Sequence, residues 1–277
     1  MRRIVSMVLL EQFCAECFKS FPASDRRAAL ESEATALVTR YSWEGADRVL
    51  KNMGTAPTLG QVLDHLAILR VAKILTPVRS VLCKPILESA CQKHSSRGPH
   101  DVLLHLSGGR RVVIEVKRFA ESTLGGDRLE HQVTEYGCRH GRFELNGDLH
   151  ELKEDPNKST SSWKLLFEAI DEKAKAQFDP DCPNLIWFVS RNALFRGSFP
   201  YSAIAHHYAK GWISMDANQP GKSYRLPDGL TGVGWSFDGS DGSHTFDPCC
   251  FLIKSPSSLM QYFSELHLPV EEMPTDG

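Results

Sequence analysis

The sequence predicts an α/β protein in which helices flank a mixed sheet, and three observations carry that reading. Apolar residues recur near helical spacing over 59–75, where Val62, Leu66, Leu69 and Leu75 form one stripe. Two apolar strands flank Ser107-Gly108-Gly109, the composition of a tight hairpin. Further on, the unbroken run Leu185-Ile186-Trp187-Phe188-Val189 has the length of a strand buried on both faces. Helix, three strands, helix and strand, in that order, make a mixed core and not a regular βαβ repeat.

The elements follow in order. Residues 4–19 are apolar at mixed three-to-four spacing. The basic-then-apolar start resembles an export signal, but it stops at Glu11 with no small-residue cleavage site, so an amphipathic helix is expected. A second helix is expected over 25–40 with Ser24 as its N-cap. Thr58 followed three residues later by Gln61 fits a capping box opening the helix over 59–75. After Pro77 the pattern changes: 79–83 and 86–92 have strand composition, and 101–106 and 111–118 read as strands. Helical spacing returns over 128–140, with Leu129, Val133 and Tyr136 on one face. The polar stretch 144–160 reads as a surface excursion.

Helix 161–177 carries the stripe Trp163, Leu166, Phe167, Ile170 and Ala174. Strand 185–189 and helix 199–210 come next. Residues 211–248, rich in Gly, Asp and Ser, read as loops with short hairpins. A strand near 249–253, a short helix near 256–265 and a frayed acidic tail end the chain. This divides the chain into an N-terminal helical section (1–58), a core (59–210) and a loop-rich extension packed on it (211–277).

Composition sets the outer bounds. The chain has 277 residues, 42% hydrophobic and 24% charged, proportions that exclude collagen, coiled coil and wholesale disorder. No apolar run approaches the roughly 18–20 residues of a membrane span, so no membrane partner is expected. Eight cysteines are too dilute for a disulfide scaffold, and a cytoplasmic protein with reduced thiols is expected. Lys+Arg 32 against Asp+Glu 34 leaves a net charge of −2. A polyanionic partner would therefore have to be met by a local basic rim.

The hairpin carries the chemistry. With a two-residue turn at Gly108-Gly109, Asp101 faces Val116 and each strand face mixes apolar and charged groups. With a three-residue loop, Ser107–Gly109, Asp101 faces Glu115, Leu103 faces Val113 and His105 faces Arg111. Val102, Leu104, Leu106, Val112, Ile114 and Val116 then form one wholly apolar face. A buried face sets register, so the second alignment is preferred, with Gly109 at the loop position that needs positive φ. Asp101 and Glu115 become cross-strand neighbours, Cβ atoms roughly 4.5–5.5 Å apart. Lys117 projects from the same face. Two opposed carboxylates call for a cation between them, and oxygen-only ligands suit Mg²⁺ or Mn²⁺ ahead of zinc.

Asp101, a spacer, and Glu115-Val116-Lys117 at the end of an apolar strand resemble the PD-(D/E)xK nuclease superfamily, with His100 where the name-giving Pro would stand. Two further matches are Gln132 in Gln132-Val133-Thr134-Glu135-Tyr136, on the helix after the motif strand, and an upstream acid, Glu88, with Asp64 as fallback. The resemblance spans about residues 60–190. It implies a restriction-endonuclease-like core (αβββαβ) and Mg²⁺- or Mn²⁺-dependent cleavage of nucleic acid, DNA ahead of RNA, in restriction, repair or anti-phage defence. Asp101, Glu115 and Glu88 would hold metal. Lys117 would activate water and stabilise the transition state, and Gln132 would support the site. Arg111, Arg118 and Arg128 are the candidate phosphate contacts within a basic set that also includes Arg97, Arg110, Arg139, Arg142 and Arg191. DNA capture also raises the expectation of a homodimer or a partner protein.

Blander readings stand beside this one. Glu-x-Lys on an edge strand also arises as a surface ion pair. A non-catalytic protein on the same core, binding nucleic acid or another protein, predicts no convergence of Asp101, Glu115 and Lys117. Cys14 and Cys17 lack the second ligand pair of a zinc site. Cys249 and Cys250 point to opposite strand faces, and Cys138-Arg139-His140 lacks a partner for a thiol nucleophile. His206 and His207 diverge on their helix. Gly232-Val233-Gly234 lacks the strand–turn–helix setting of a dinucleotide loop.

Overall fold

The computed structural model describes residues 22–77, 85–87, 99–106, 109–119, 141–145, 148–152, 160–190, 212–213, 223–237, 248–254 and 256–272. The expected helices at 4–19, 128–140 and 199–210, the strand at 79–83, and Glu88, Arg128 and Gln132 lie outside the described residues.

The N-terminal section forms helices α1 (Ala23–Tyr41) and α2 (Ala46–Thr55), and α3 (Leu59–Ile74) opens the core. The capping box is present on α3: Gln61 N donates to the Thr58 hydroxyl, and Thr58 N donates to Gln61 Oε1. Ser24 does not cap α1. The helix begins two residues earlier than expected, after Pro22, and Ser24 donates to its neighbour Asp25. Nine α3 residues are buried, around most of its circumference. That pattern belongs to a helix covered on all sides, and α1 and α2 pack on α3 while α3 packs on the sheet.

The sheet contains β1 (Ile86–Leu87), β2 (Val102–His105), β3 (Arg111–Phe119), β7 (Asn184–Ser190), β10 (Leu230–Phe237), β11 (Cys249–Leu252) and β12 (Val270–Glu272), in that spatial order. Between β3 and β7 in the chain come β4 (Gly141–Leu145), β5 (Asp148–Leu152) and β6 (Thr160–Ser161), which form a small sheet, and helix α4 (Ser162–Gln177). Strands β8 (Trp212–Ile213) and β9 (Ser223–Tyr224) pair with each other, and helix α5 (Ser257–Glu265) precedes β12. β3, β7 and β10 are mutually parallel, whereas β1–β2, β2–β3 and β10–β11 are antiparallel.

Apolar clusters lie on both sides of the sheet. One joins α1–α3 and α5 to Val102, Leu104, Leu106, Val112, Ile114 and Val116, the six residues expected on the apolar hairpin face, and to Leu185, Trp187 and Val189. The other joins α4 (Leu166, Phe167, Ile170) to Phe119, Ile186, Phe188, Val233 and Trp235. β7 is thus covered on both faces, and each of its large apolar side chains contributes roughly 1.5–3 kcal/mol by burial.

Three sequence expectations need correction. The stretch 144–160 is not only a polar excursion, since β4 and β5 pair there with Leu145 opposite Asp148. Asn146 and Gly147, the two residues between them, are a strong hairpin signal passed over in a polar context. Within 211–248, β10 is an eight-residue strand inside the main sheet. Its glycines mimic loop composition because the neighbours demand them: a Cβ on Gly234 would stand 2.1 Å from Trp187 Cε3, and one on Gly232 2.7 Å from the Phe251 carbonyl oxygen. The tail is not wholly frayed either, because β12 pairs in parallel with β11. No described helix is long and apolar enough to cross a membrane.

Candidate active site

The hairpin register is the one set by the apolar face. Val102 pairs with Ile114, Leu103 with Val113, Leu104 with Val112 and His105 with Arg111. Leu106 N donates to Arg110 O at 2.7 Å, closing a three-residue loop in which Gly109 has φ 75°. Continuing that register places Asp101 opposite Glu115, just where β2 ends. From Glu115 onward β3 has no strand partner on that edge among the described residues. The Val116 N–H, left without a ladder partner, donates to Asp101 Oδ2 at 2.7 Å. The carboxylate thus takes the place of a strand.

Glu115 is fully buried. Its Oε1 lies 2.9 Å from His100 Nδ1, and its Oε2 accepts from Lys173 Nζ at 3.1 Å. The same Nζ donates to Asp101 Oδ2 at 3.1 Å. Lys173 comes from α4, and its ammonium is the cation that the two opposed carboxylates call for. Two carboxylates against one ammonium leave this cluster short of a positive charge unless His100 is protonated. Burial pushes the Asp101 carboxyl up to about 6, and the Glu115 charge adds to the rise, while Lys173 and the Val116 N–H oppose it. For Lys173 burial alone favours the neutral amine, but the two carboxylates outweigh it and hold the ammonium above its usual range.

Lys117 lies in the same cleft without joining the cluster: its Nζ donates to Glu172 Oε2 at 3.4 Å, an exposed contact. The cleft holds about 400 Å³ and is walled by Asp64 and His65 of α3, Asp101, Lys117, and Glu172 and Lys173 of α4. Arg118 also lines the cleft, but its guanidinium is engaged there: it donates to Asp64 Oδ1 at 2.8 Å and Gly60 O at 3.0 Å, tying β3 to the start of α3. Asp64, the fallback acid, is therefore the partner of Arg118. Arg111 lies four residues from Glu115 along β3, about 13 Å away at roughly 3.3 Å per residue. It lines a second cavity, of about 440 Å³, at the turn end of the hairpin. Cys182 lines that cavity too, and burial with nearby Asp179 raises its thiol to about 11, so it is no nucleophile at neutral pH. Cys249 and Cys250 belong to clusters on opposite sides of the sheet, as adjacent strand residues must.

Sequence reasoning passed over Lys173 and gave His100 no role. A signal for Lys173 existed: it stands seven residues after Leu166 and three after Ile170, so it continues the apolar stripe of α4. A lysine on a core-facing stripe calls for a buried carboxylate opposite.

Among the described residues no group of three or more His, Cys, Asp and Glu side chains is placed to hold a metal ion. The donor chemistry nevertheless fits Mg²⁺ or Mn²⁺. Asp101 and Glu115 each direct one carboxylate oxygen to a single cation, and Mg²⁺ is usually held by one or two carboxylates with waters and substrate oxygens completing its shell. Comparison with family models, with curated proteins and with solved structures finds no match for this chain.

Proposed function

We propose that the protein is a metal-dependent nuclease on a restriction-endonuclease-like core, hydrolysing phosphodiester bonds in nucleic acid, DNA ahead of RNA. The observation that carries this reading is the convergence of Asp101 Oδ2 and Glu115 Oε2 on one positive charge, the Lys173 ammonium, with Asp101 and Lys173 at the wall of an open cleft and Glu115 buried behind them. The chain order α3, β1, β2, β3, α4, β7, with the small β4–β6 sheet inserted before α4, supports the fold assignment. Restriction, repair and anti-phage defence are settings suggested by analogy of fold.

In this reading Asp101 and Glu115 hold Mg²⁺ or Mn²⁺, with Glu88 as a further ligand. Such an ion would polarise the scissile phosphate and make a bound water more acidic. Lys117 orients the attacking water and stabilises charge developing on the phosphate. Its exposed contact with Glu172 opens at little cost. His100 keeps the Glu115 carboxylate turned, Gln132 supports the site, and Arg111, at the turn end of β3, and Arg128 meet phosphates. Arg118 holds β3 in place.

Cleavage of supercoiled and linear DNA with Mg²⁺ or Mn²⁺ tests the reading, with wild type beside Glu115→Gln and Lys117→Ala. Wild type should cleave, Glu115→Gln should not, and Lys117→Ala should lose about 10²–10⁴-fold. Full activity in a folded Lys117→Ala protein would remove Lys117 from its role. A specific observation favours a second reading, a non-catalytic binding protein: Lys173 already neutralises part of the carboxylate pair, and Lys117 faces Glu172. Metal-independent DNA or protein binding, with no cleavage under either ion, would put it first.

A further inference from the structure

We propose that Lys173 is a built-in competitor for the divalent ion, its ammonium holding the cation position until metal displaces it into the cleft. This rests on the nuclease reading above. Nζ stands 3.1 Å from Asp101 Oδ2 and 3.1 Å from Glu115 Oε2, so one point between the two oxygens is already filled by positive charge. A divalent ion ligated by both oxygens sits about 2.0–2.1 Å from each. Both oxygens already spend lone pairs on Nζ, and a divalent ion held there brings two like charges nearly into contact. The other contacts of the pair do not compete in this way. His100 uses Glu115 Oε1, and the Val116 N–H is neutral backbone.

Lys173 has somewhere to go. It lines the cleft beside Lys117 and Glu172, and its side chain is already 16% exposed on that side of α4. Displaced, it becomes a second ammonium where a phosphate would enter. Metal-free protein thus keeps its carboxylate pair partly neutralised by Lys173, and metal loading and phosphate contacts become coupled through one side chain.

The deciding measurement uses the wild-type chain. Amine-selective labelling, read peptide by peptide by mass spectrometry, compares Lys173 with exposed Lys175 in the absence and presence of saturating Mg²⁺. Lys173 labelling should rise on the order of tenfold with Mg²⁺, while Lys175 stays unchanged. In parallel, calorimetry with Mn²⁺ should show tighter binding by Lys173→Met than by wild type, and loss of binding in Asp101→Asn. If the ions bind and Lys173 labelling does not rise, the competition is wrong while the metal site stands. If neither wild type nor Lys173→Met binds Mg²⁺ or Mn²⁺ at millimolar concentration, the nuclease reading falls and the competition with it. The labelling arm needs no substitution, so instability of Lys173→Met leaves the proposal open to refutation.

Discussion

Two largely buried ion clusters lie on opposite sides of the sheet, and they are built differently. On the α1–α3 side, Arg70 grips Glu33 with two bonds, Nε to Oε1 at 2.8 Å and Nη2 to Oε2 at 2.6 Å. The guanidinium meets the carboxylate in fork geometry, an arrangement suited to a clamp between helices. On the α4 side, one ammonium is shared by two carboxylates through single contacts of 3.1 Å, and the Asp101 carboxyl is driven up to about 6. The first pairs one guanidinium with a carboxylate through two short bonds. The second sets one ammonium between two carboxylates and opens on a cleft, which is how a site that could accept a further cation differs from one that only holds helices together.

Four measurements break or sharpen that contrast. The largest effect is expected at the closed clamp. Glu33→Ala leaves a guanidinium buried without its carboxylate and should cost about 3 kcal/mol by urea unfolding, the range for breaking a buried pair. A loss under about 1 kcal/mol would make the Arg70–Glu33 contact incidental. Next, His100→Ala strips Glu115 Oε1 of its donor and should cost about 1–3 kcal/mol. His100→Asn, whose amide places a donor near the position of Nδ1, should recover much of that; equal losses in the two variants would point to packing instead.

The third effect concerns the open cluster. By carboxyl-carbon NMR, Asp101 should titrate near 6 in metal-free protein, and Lys173→Met should move it higher, since Lys173 opposes the rise. The sign for stability follows. A carboxyl whose folded pKa lies above its ordinary 3.8 favours folding most when protonated, and that contribution is lost as pH rises through about 6. Asp101→Asn should flatten that slope, and a wild-type titration near 4 would show the site to be wetter than its geometry. The smallest effect is at the rim. Lys117→Ala should change unfolding free energy by less than about 0.5 kcal/mol, because its contact with Glu172 is exposed and long. A larger loss would draw Lys117 into the structural cluster and away from chemistry.

Much of the fold could be read from residue order because its signals are short-range. The Thr58–Gln61 box marks the start of α3. Alternation over 101–117 selects the register that brings Asp101 to Glu115, and the run 185–189 marks a strand covered on both faces. β10 was not legible. Gly232 and Gly234 look like loop residues until the Trp187 ring and the Phe251 carbonyl that require them are in place. Ser24 misled for a local reason, since a good capping residue lay one turn position inside a helix that Pro22 already opened.

The site divides along the same line. By itself the sequence determined that two carboxylates face each other across a hairpin, because the pleat period and the apolar face leave one register. It also determined that Lys117 projects from their face. Only the tertiary structure decided which cation stands between them. Lys173 is 72 residues from Asp101 and 58 from Glu115 in the chain. No periodicity reaches that far, so the pairing waits on how α4 packs against the sheet. The same packing turns Lys117 toward Glu172, and the packing of α3 on the sheet commits Arg118 to Asp64. Local pattern sets which side chains share a face; the partner each one takes depends on the approach of elements remote in sequence, where burial makes an unmatched charge too costly to leave.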